Sequence, residues 1–256
     1  MQIYGVNPVL EALKAKRVTR LRVGARHDKR VDEILARAAK LGVTVERIDQ
    51  QTLDRVTKGG VHQGVVADVE DAREHSIPDL LQPPTSSVQP PGTGLEPPAS
   101  TLQPPLLVVL DGIEDPHNVG AILRTCDAAG VSGVIRQERH SAALDGVVGK
   151  ASAGALSHVR IATVVNIARA VEELKDANIW TIGLAGDAAA AYTDVDWTLP
   201  SAVVLGAEGT GLRRLVAERC DRLVRIPMLG AVDSLNVSVA AGVVLYEVVR
   251  QRGQKP

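Results

Sequence analysis

Three stretches of this 256-residue chain carry polar side chains at spacings that could do chemistry. The first runs from an apolar strand into Asp-Pro-His-Asn-Val-Gly-Ala-Ile-Leu-Arg, residues 115–124. A helix over 118–129 sets Gly120 and Arg124 one turn apart on a single face. A glycine there leaves the face bare, so an anionic group can approach the guanidinium, which suits bidentate recognition of a phosphate. The competing reading is an ion pair from Arg124 to Asp127 on the same helix, worth about 0.2–0.5 kcal/mol. Taken alone, the stretch favours the ion pair.

The second stretch is Gly206-Ala-Glu-Gly-Thr-Gly211, at the end of an apolar run. Its glycines let a backbone approach a ligand closely and turn amide groups toward it. The order G-x-x-G-x-G is not the dinucleotide fingerprint G-x-G-x-x-G, and the Gly-Lys-Ser/Thr ending of a P-loop is missing. Glu208, in the middle, is harder to account for as turn chemistry. The third stretch is Ile226-Pro-Met followed by Ser234-Leu-Asn236, which opens an apolar helix. A Ser or Asp cap explains the helix but leaves polar Asn236 unexplained. Ser238 and Gly242, four apart, make a small-residue face that permits close packing.

These loops need a frame. Strands read as LLVVLDG, VSGVI, VRIATV, IWTIGLAG, AVVLGAEG and RLVRIPM. Helices between them are expected over 118–129, 168–177, 212–219 and 235–252. Near-continuous apolar strands alternating with helices predict a parallel sheet covered on both faces. Such sheets take ligands at the carboxyl ends of their strands, where all three stretches fall. The N-terminal residues read as a small α/β unit, with Asn7 capping a helix that begins at Pro8. Between the two lies a segment with four Pro-Pro pairs and few charges. The expected organisation is therefore 1–71, a proline-rich linker over 72–105, and 106–256.

Composition narrows the partners. Net charge is −1, so nothing pulls the whole chain toward nucleic acid. Charge is local instead: Lys14, Lys16, Arg17, Arg20, Arg22, Arg26, Lys29 and Arg30 face one acid, Asp28. The absence of phenylalanine and a content of 2% aromatic residues argue against a base-stacking platform. Any RNA must be held by Arg/Lys contacts, backbone and shape. Cys126 and Cys220 lie far apart in apolar helical contexts, which predicts buried free thiols and no metal. No signal-peptide pattern or apolar run of transmembrane length is present, so a cytoplasmic place is expected.

Taken together, Asn118/Gly120/Arg124, the Gly206–Gly211 loop and the Ile226–Ala240 run resemble the three motifs of the SPOUT RNA methyltransferases, in their TrmH/RlmB branch. IYGVNPVLEAL and VHQGVVADV near the N-terminus resemble that branch's substrate-binding domain. The resemblance implies an α/β parallel-sheet catalytic domain with a deep C-terminal trefoil knot, plus a small N-terminal α/β substrate-binding domain. It implies S-adenosylmethionine as methyl donor, S-adenosylhomocysteine as product, no metal, no membrane, and a homodimer formed through the catalytic domain. The substrate implied is a ribose 2′-hydroxyl of RNA, first a guanosine of large-subunit (23S) ribosomal RNA. Transfer RNA is the alternative, and a non-catalytic ribosome-assembly factor of the same fold is a further one. Carried over, Gly206, Ile226 and Leu235 hold the cofactor. Arg124 clamps the phosphate and stabilises developing charge. Asn118 and Asn236 orient the ribose and loop, and Glu208 fixes the glycine loop or relays a proton.

Overall fold

The computed structural model describes residues 1–25, 29–57, 59–70, 75–83 and 103–253. In chain order its first elements are β1 (Gln2–Tyr4), α1 (Val6–Lys14), β2 (Val18–Val23), α2 (Lys29–Lys40), β3 (Thr44–Arg47), α3 (Gln50–Val56), β4 (Val65–Val69) and α4 (Ile77–Leu81). There follow β5 (Leu106–Asp111), α5 (Pro116–Ala128), β6 (Gly133–Gln137), α6 (Gly146–Ala151), β7 (Ile161–Val164), α7 (Ile167–Asp176) and β8 (Trp180–Leu184). The last are β9 (Ala190–Ala191), β10 (Ser201–Gly206), α8 (Arg214–Arg219), β11 (Arg222–Arg225) and α9 (Val237–Gly253). They form two compact units, Met1–Arg73 with Ile113–Ala128 and His140–Val159, and Glu74–Gly112 with Ala129–Arg139 and Arg160–Pro256.

The first unit is built on a four-stranded sheet of order β1-β4-β2-β3. Its core comes from alternate positions, with Ile3, Leu21, Val23, Val65 and Ala67 buried against Val9, Leu13 and Ile34 of the helices. Helix α1 starts earlier than the sequence suggests. Gly5, at φ +96°, is its cap residue, and Asn7 lies inside the first turn. The amide of Val6 is satisfied from a distance, by Gln63 Oε1 at 3.0 Å. Helix α5 likewise begins at Pro116, because the Asp115 carboxylate accepts from the amides of His117 and Asn118 at 3.1 and 3.2 Å. An acidic cap followed by proline at the first helical position is a favoured start.

The second unit holds a seven-stranded sheet of order β7-β6-β5-β10-β8-β11-β9, every pairing parallel. All six expected strands are present, and the two-residue edge strand β9 is an addition. β5 is buried at every position, as a central parallel strand should be. Leu107 and Val109 on one face of β5 pack with Ile135, Val204 and the α7 residues Ile167, Val171 and Leu174.

That core also includes Ile77 and Leu80 of α4, inside the segment read as a linker. Ser76 and Asp79 close a capping box at the start of α4, and burying Leu80 stabilises it by about 1.5–3 kcal/mol. Arg160 then grips its end, donating to the carbonyls of Asp79, Leu80 and Gln82 at 3.0, 3.3 and 2.9 Å. A second arginine grips the other flank. Arg252 donates to the carbonyls of Pro104, Trp197 and Leu199 at 2.6, 2.9 and 3.0 Å. The two flanks start close together, since Ser132 accepts from Arg160 through its carbonyl and from the Leu106 amide through its hydroxyl.

The proline-rich residues 84–102 lie outside the described residues. In sequence they belong to a seven-residue repeat, Leu81-Gln-Pro-Pro, Val88-Gln-Pro-Pro, Leu95-Glu-Pro-Pro and Leu102-Gln-Pro-Pro. Gln82 of the first copy and Pro104 of the last sit at the two arginine grips, so both described flanks of the repeat belong to the second unit. Removing two whole repeats, residues 88–101, changes loop-closure entropy by only about 1 kcal/mol. The melting temperature is expected to stay within about 4 °C of the parent chain, with RNA affinity unchanged. A collapse of either in a scanning-calorimetry and RNA-binding comparison would show that the segment holds the units together.

Candidate active site

The carboxyl ends of three adjacent strands, β6, β5 and β10, meet at one carboxylate. Asp111 ends β5, pairs in register with Gly206 at the end of β10, and is fully buried. Its Oδ2 accepts from the backbone amide of Arg213 at 2.9 Å, and its Oδ1 accepts from Arg213 Nε at 2.6 Å and from Nη2 as well. The same guanidinium donates to Gln137 Oε1, at the end of β6, at 2.7 Å. Asp111 thus lies beside the point where the glycine loop leaves the sheet and holds the point where it returns. The sequence motifs did not single out Asp111, Arg213 or Gln137. The one available signal was a charged residue closing a wholly apolar strand.

Between those points the loop closes on itself. The amides of Ala207 and Gly211 each donate to the other's carbonyl, at 3.1 and 2.9 Å. Gly209 and Gly211 have φ of +78° and +67°, where glycine is favoured. Gly206 is demanded by the same closure, since a methyl group there would run into the Gly211 carbonyl and the Leu212 amide. The space cleared at Gly206 is taken by its own loop. Glu208 is exposed beside the turn.

The third stretch follows β11. Residues 226–236 form no regular structure, with Ile226 half-buried, Leu235 exposed and Leu229 98% exposed. Helix α9 starts at Val237, and Asn236 caps it. Its Oδ1 accepts from the amide and the hydroxyl of Ser238 at 2.9 and 2.6 Å. The position left unexplained by a Ser234 cap is therefore the cap itself.

Asn118 and Arg124 share α5, in the other unit. Asn118 is buried in the first turn. Arg124 is exposed and, among the described residues, makes no hydrogen bond or ion pair, so the Arg124–Asp127 pair is not formed. Gly120 is buried, and a methyl group there would collide with Ala151 and the Ser152 amide. It admits α6 rather than leaving a face bare for an anion. Arg124 is open for a different reason: it lies on the side of α5 opposite buried Ile122 and Cys126.

The basic cluster is thinner than its composition. Lys14 pairs with Glu11 at 2.7 Å, Arg22 grips Asp68 through two bonds at 3.1 and 2.7 Å, and Arg17 donates to the Glu70 carbonyl at 3.0 Å. Lys16 and Arg20 are exposed, and Arg26 and Asp28 lie outside the described residues. Both thiols are free. Burial pushes the Cys126 thiol up and holds that of half-buried Cys220 up to about 12. Among the described residues no group of acidic, His or Cys side chains could hold a metal, and no helix is long and apolar enough to cross a membrane.

The site is thus a parallel sheet with a self-closed glycine loop after β10, an irregular segment after β11 and a capped terminal helix. The comparison with known proteins is specific. Residues 105–246 match the SpoU rRNA Methylase family, and residues 2–75 match the RNA 2′-O ribose methyltransferase substrate binding family. The chain belongs to the SpoU rRNA methylase family. It is 41% identical over 99% of its length to the 23S rRNA (guanosine-2′-O-)-methyltransferase RlmB of Yersinia pestis, covering 98% of that protein. It is 43% identical over 98% of its length to the protein of the same name from Pasteurella multocida, again covering 98% of it. Among solved structures, the SpoU methyltransferase AviRb from Streptomyces viridochromogenes, in complex with AdoMet, shares the fold with a TM-score of 0.80 at 24% identity. That match covers 100% of this chain and 91% of AviRb.

Because the collision at Gly206 is with backbone, even one methyl group is too much. Gly206→Ala is expected to open the loop and to lower stability by about 1–3 kcal/mol. Urea denaturation checks it, and a midpoint equal to that of the parent chain would show that the loop has room.

Proposed function

We propose that this chain transfers the methyl group of S-adenosylmethionine to the 2′-hydroxyl of a guanosine in 23S ribosomal RNA. The observation that carries this reading is identity of 41–43% over nearly the whole chain to relatives bearing that name. Bound S-adenosylmethionine supplies an electrophilic methyl group on a sulfonium. The residues present fit such a donor. Gly206, Ile226 and Leu235 stand on the glycine loop and the irregular segment after β11, which offer turned backbone and exposed apolar side chains together.

The ribose hydroxyl is neutral at pH 7 and needs alignment and help with its proton. Arg124 stays protonated under ordinary conditions, so it serves as a clamp on the neighbouring phosphate and a stabiliser of developing negative charge. Its guanidinium, exposed and without a partner among the described residues, supports this role. Asn118 and Asn236 orient the ribose and loop, Asn236 from its place as the cap of α9, and Glu208 fixes the glycine loop or relays a proton. Residues 1–71 select the RNA and 106–256 perform the transfer, in the cytoplasm where ribosomal RNA is made into ribosomes. The insertion of the late strand β10 between β5 and β8 supports a knotted C-terminal region. Val239, Tyr246 and Val249 leave one exposed apolar face on α9, and a second copy of the chain covers it.

Arg124→Ala is expected to reduce single-turnover methyl transfer by about 100-fold or more while cofactor affinity stays put. Transfer at the parent rate would remove Arg124 from the mechanism. For the RNA-reading unit, the informative pair is Lys16→Glu with Arg20→Glu, because Arg22→Glu would also break the bond to Asp68. The double variant is expected to weaken RNA binding and to reduce its salt slope by about 1 per lost phosphate contact. Equal slopes would reduce the cluster to a solvated surface.

A further inference from the structure

We propose that Asp111 and Arg213 are positioning residues for the methyl-donor loop, setting its shape without touching the reacting atoms. This rests on the reading of Gly206–Gly211 as the donor's loop. A six-residue loop with two positive-φ glycines has many shapes open to it. Its internal bridge, Ala207 to Gly211, closes the turn but does not fix where the turn points. Its leaving end is fixed by the strand register of Gly206 with Asp111. Its returning end needs a separate anchor, because α8 does not start until Arg214 and Arg213 is a cap residue without a side-chain cap bond.

Asp111 supplies that anchor. One oxygen takes the Arg213 amide and the other takes the guanidinium. Nearby, a methyl group added at Gly112, φ +73°, would lie 3.8 Å from the Ala207 side chain, so the two chain segments run close together. The guanidinium is needed as a fork. One edge faces Asp111 while Nη2 also reaches Gln137, so one planar group ties the ends of β5 and β6 to the loop of β10. Lysine, a point charge on a flexible stem, cannot span both partners with fixed geometry. Asparagine at 111 would turn an NH2 group toward a donor and lose the second acceptor.

The test uses Asp111→Asn and, should that variant fold poorly, Arg213→Lys, which keeps the backbone bond. The first readout is amide hydrogen exchange in the free protein. Exchange at Ala207 and Gly211 is expected to speed up by about tenfold or more, while Val108 and Val203 in the strands keep the parent rate. The second readout is calorimetric titration with S-adenosylhomocysteine and, separately, with RNA. Affinity for the former is expected to fall by about 10- to 100-fold, with RNA affinity unchanged. In turnover, KM for S-adenosylmethionine rises while kcat at saturation is kept. Unchanged loop exchange in a folded variant overturns the proposal, as does a parallel loss of both affinities. If the parent chain itself fails to bind S-adenosylhomocysteine while the variants loosen the loop, the donor reading fails and the positioning role stands.

Discussion

A carboxylate with no solvent exposure, Asp111, anchors the chain where it returns from the glycine loop. Removing Asp111 from water costs roughly several kcal/mol, and the cost is offset only if every lone pair is used well. Here a backbone amide and a guanidinium use them, and both belong to Arg213, just past the glycine loop. The loop must return to that point. The in-register pairing of β5 with β10, the positive-φ glycines and the lack of a side chain at Gly206 act with it to shape the same loop.

Much of the frame was legible because burial writes itself into apolar runs. Every strand of the parallel sheet except the two-residue β9 could be read, and the four helices expected beside them fell within a few residues of their bounds, while α4 and α6 were not read. Several misreadings share one cause, which is tertiary demand on single positions. Gly120 and Gly206 both look like clearings for a ligand, yet both are cleared for the chain itself, one for α6 and one for the loop's own return. Asn7 looks like a cap, but a glutamine 56 residues further on satisfies the amide at the start of α1. Asn236 looked chemical and is also a helix cap. A residue type shows that a position is special without showing which neighbour makes it so. Asp111 is the converse case, invisible because its partner is 102 residues away in sequence.

The proline-rich segment shows how composition can mislead about organisation. Its content suggests a tether, while Leu80, Arg160 and Arg252 fasten its described flanks to one unit. The connection between β4 and α4 is residues 70–76, of which 71–74 lie outside the described residues. The basic cluster is a similar lesson, since arginines such as Arg17 and Arg22 are occupied with carbonyls and carboxylates of their own unit.

The most direct measurement is transfer of tritiated methyl groups from S-adenosylmethionine to total RNA from cells lacking the enzyme, followed by mapping of the ribose that resists alkaline cleavage. The expected result is label at a single guanosine 2′-oxygen in the large-subunit ribosomal RNA. Label on a nucleobase, label confined to transfer RNA, or no transfer by a folded, cofactor-bound protein would contradict it.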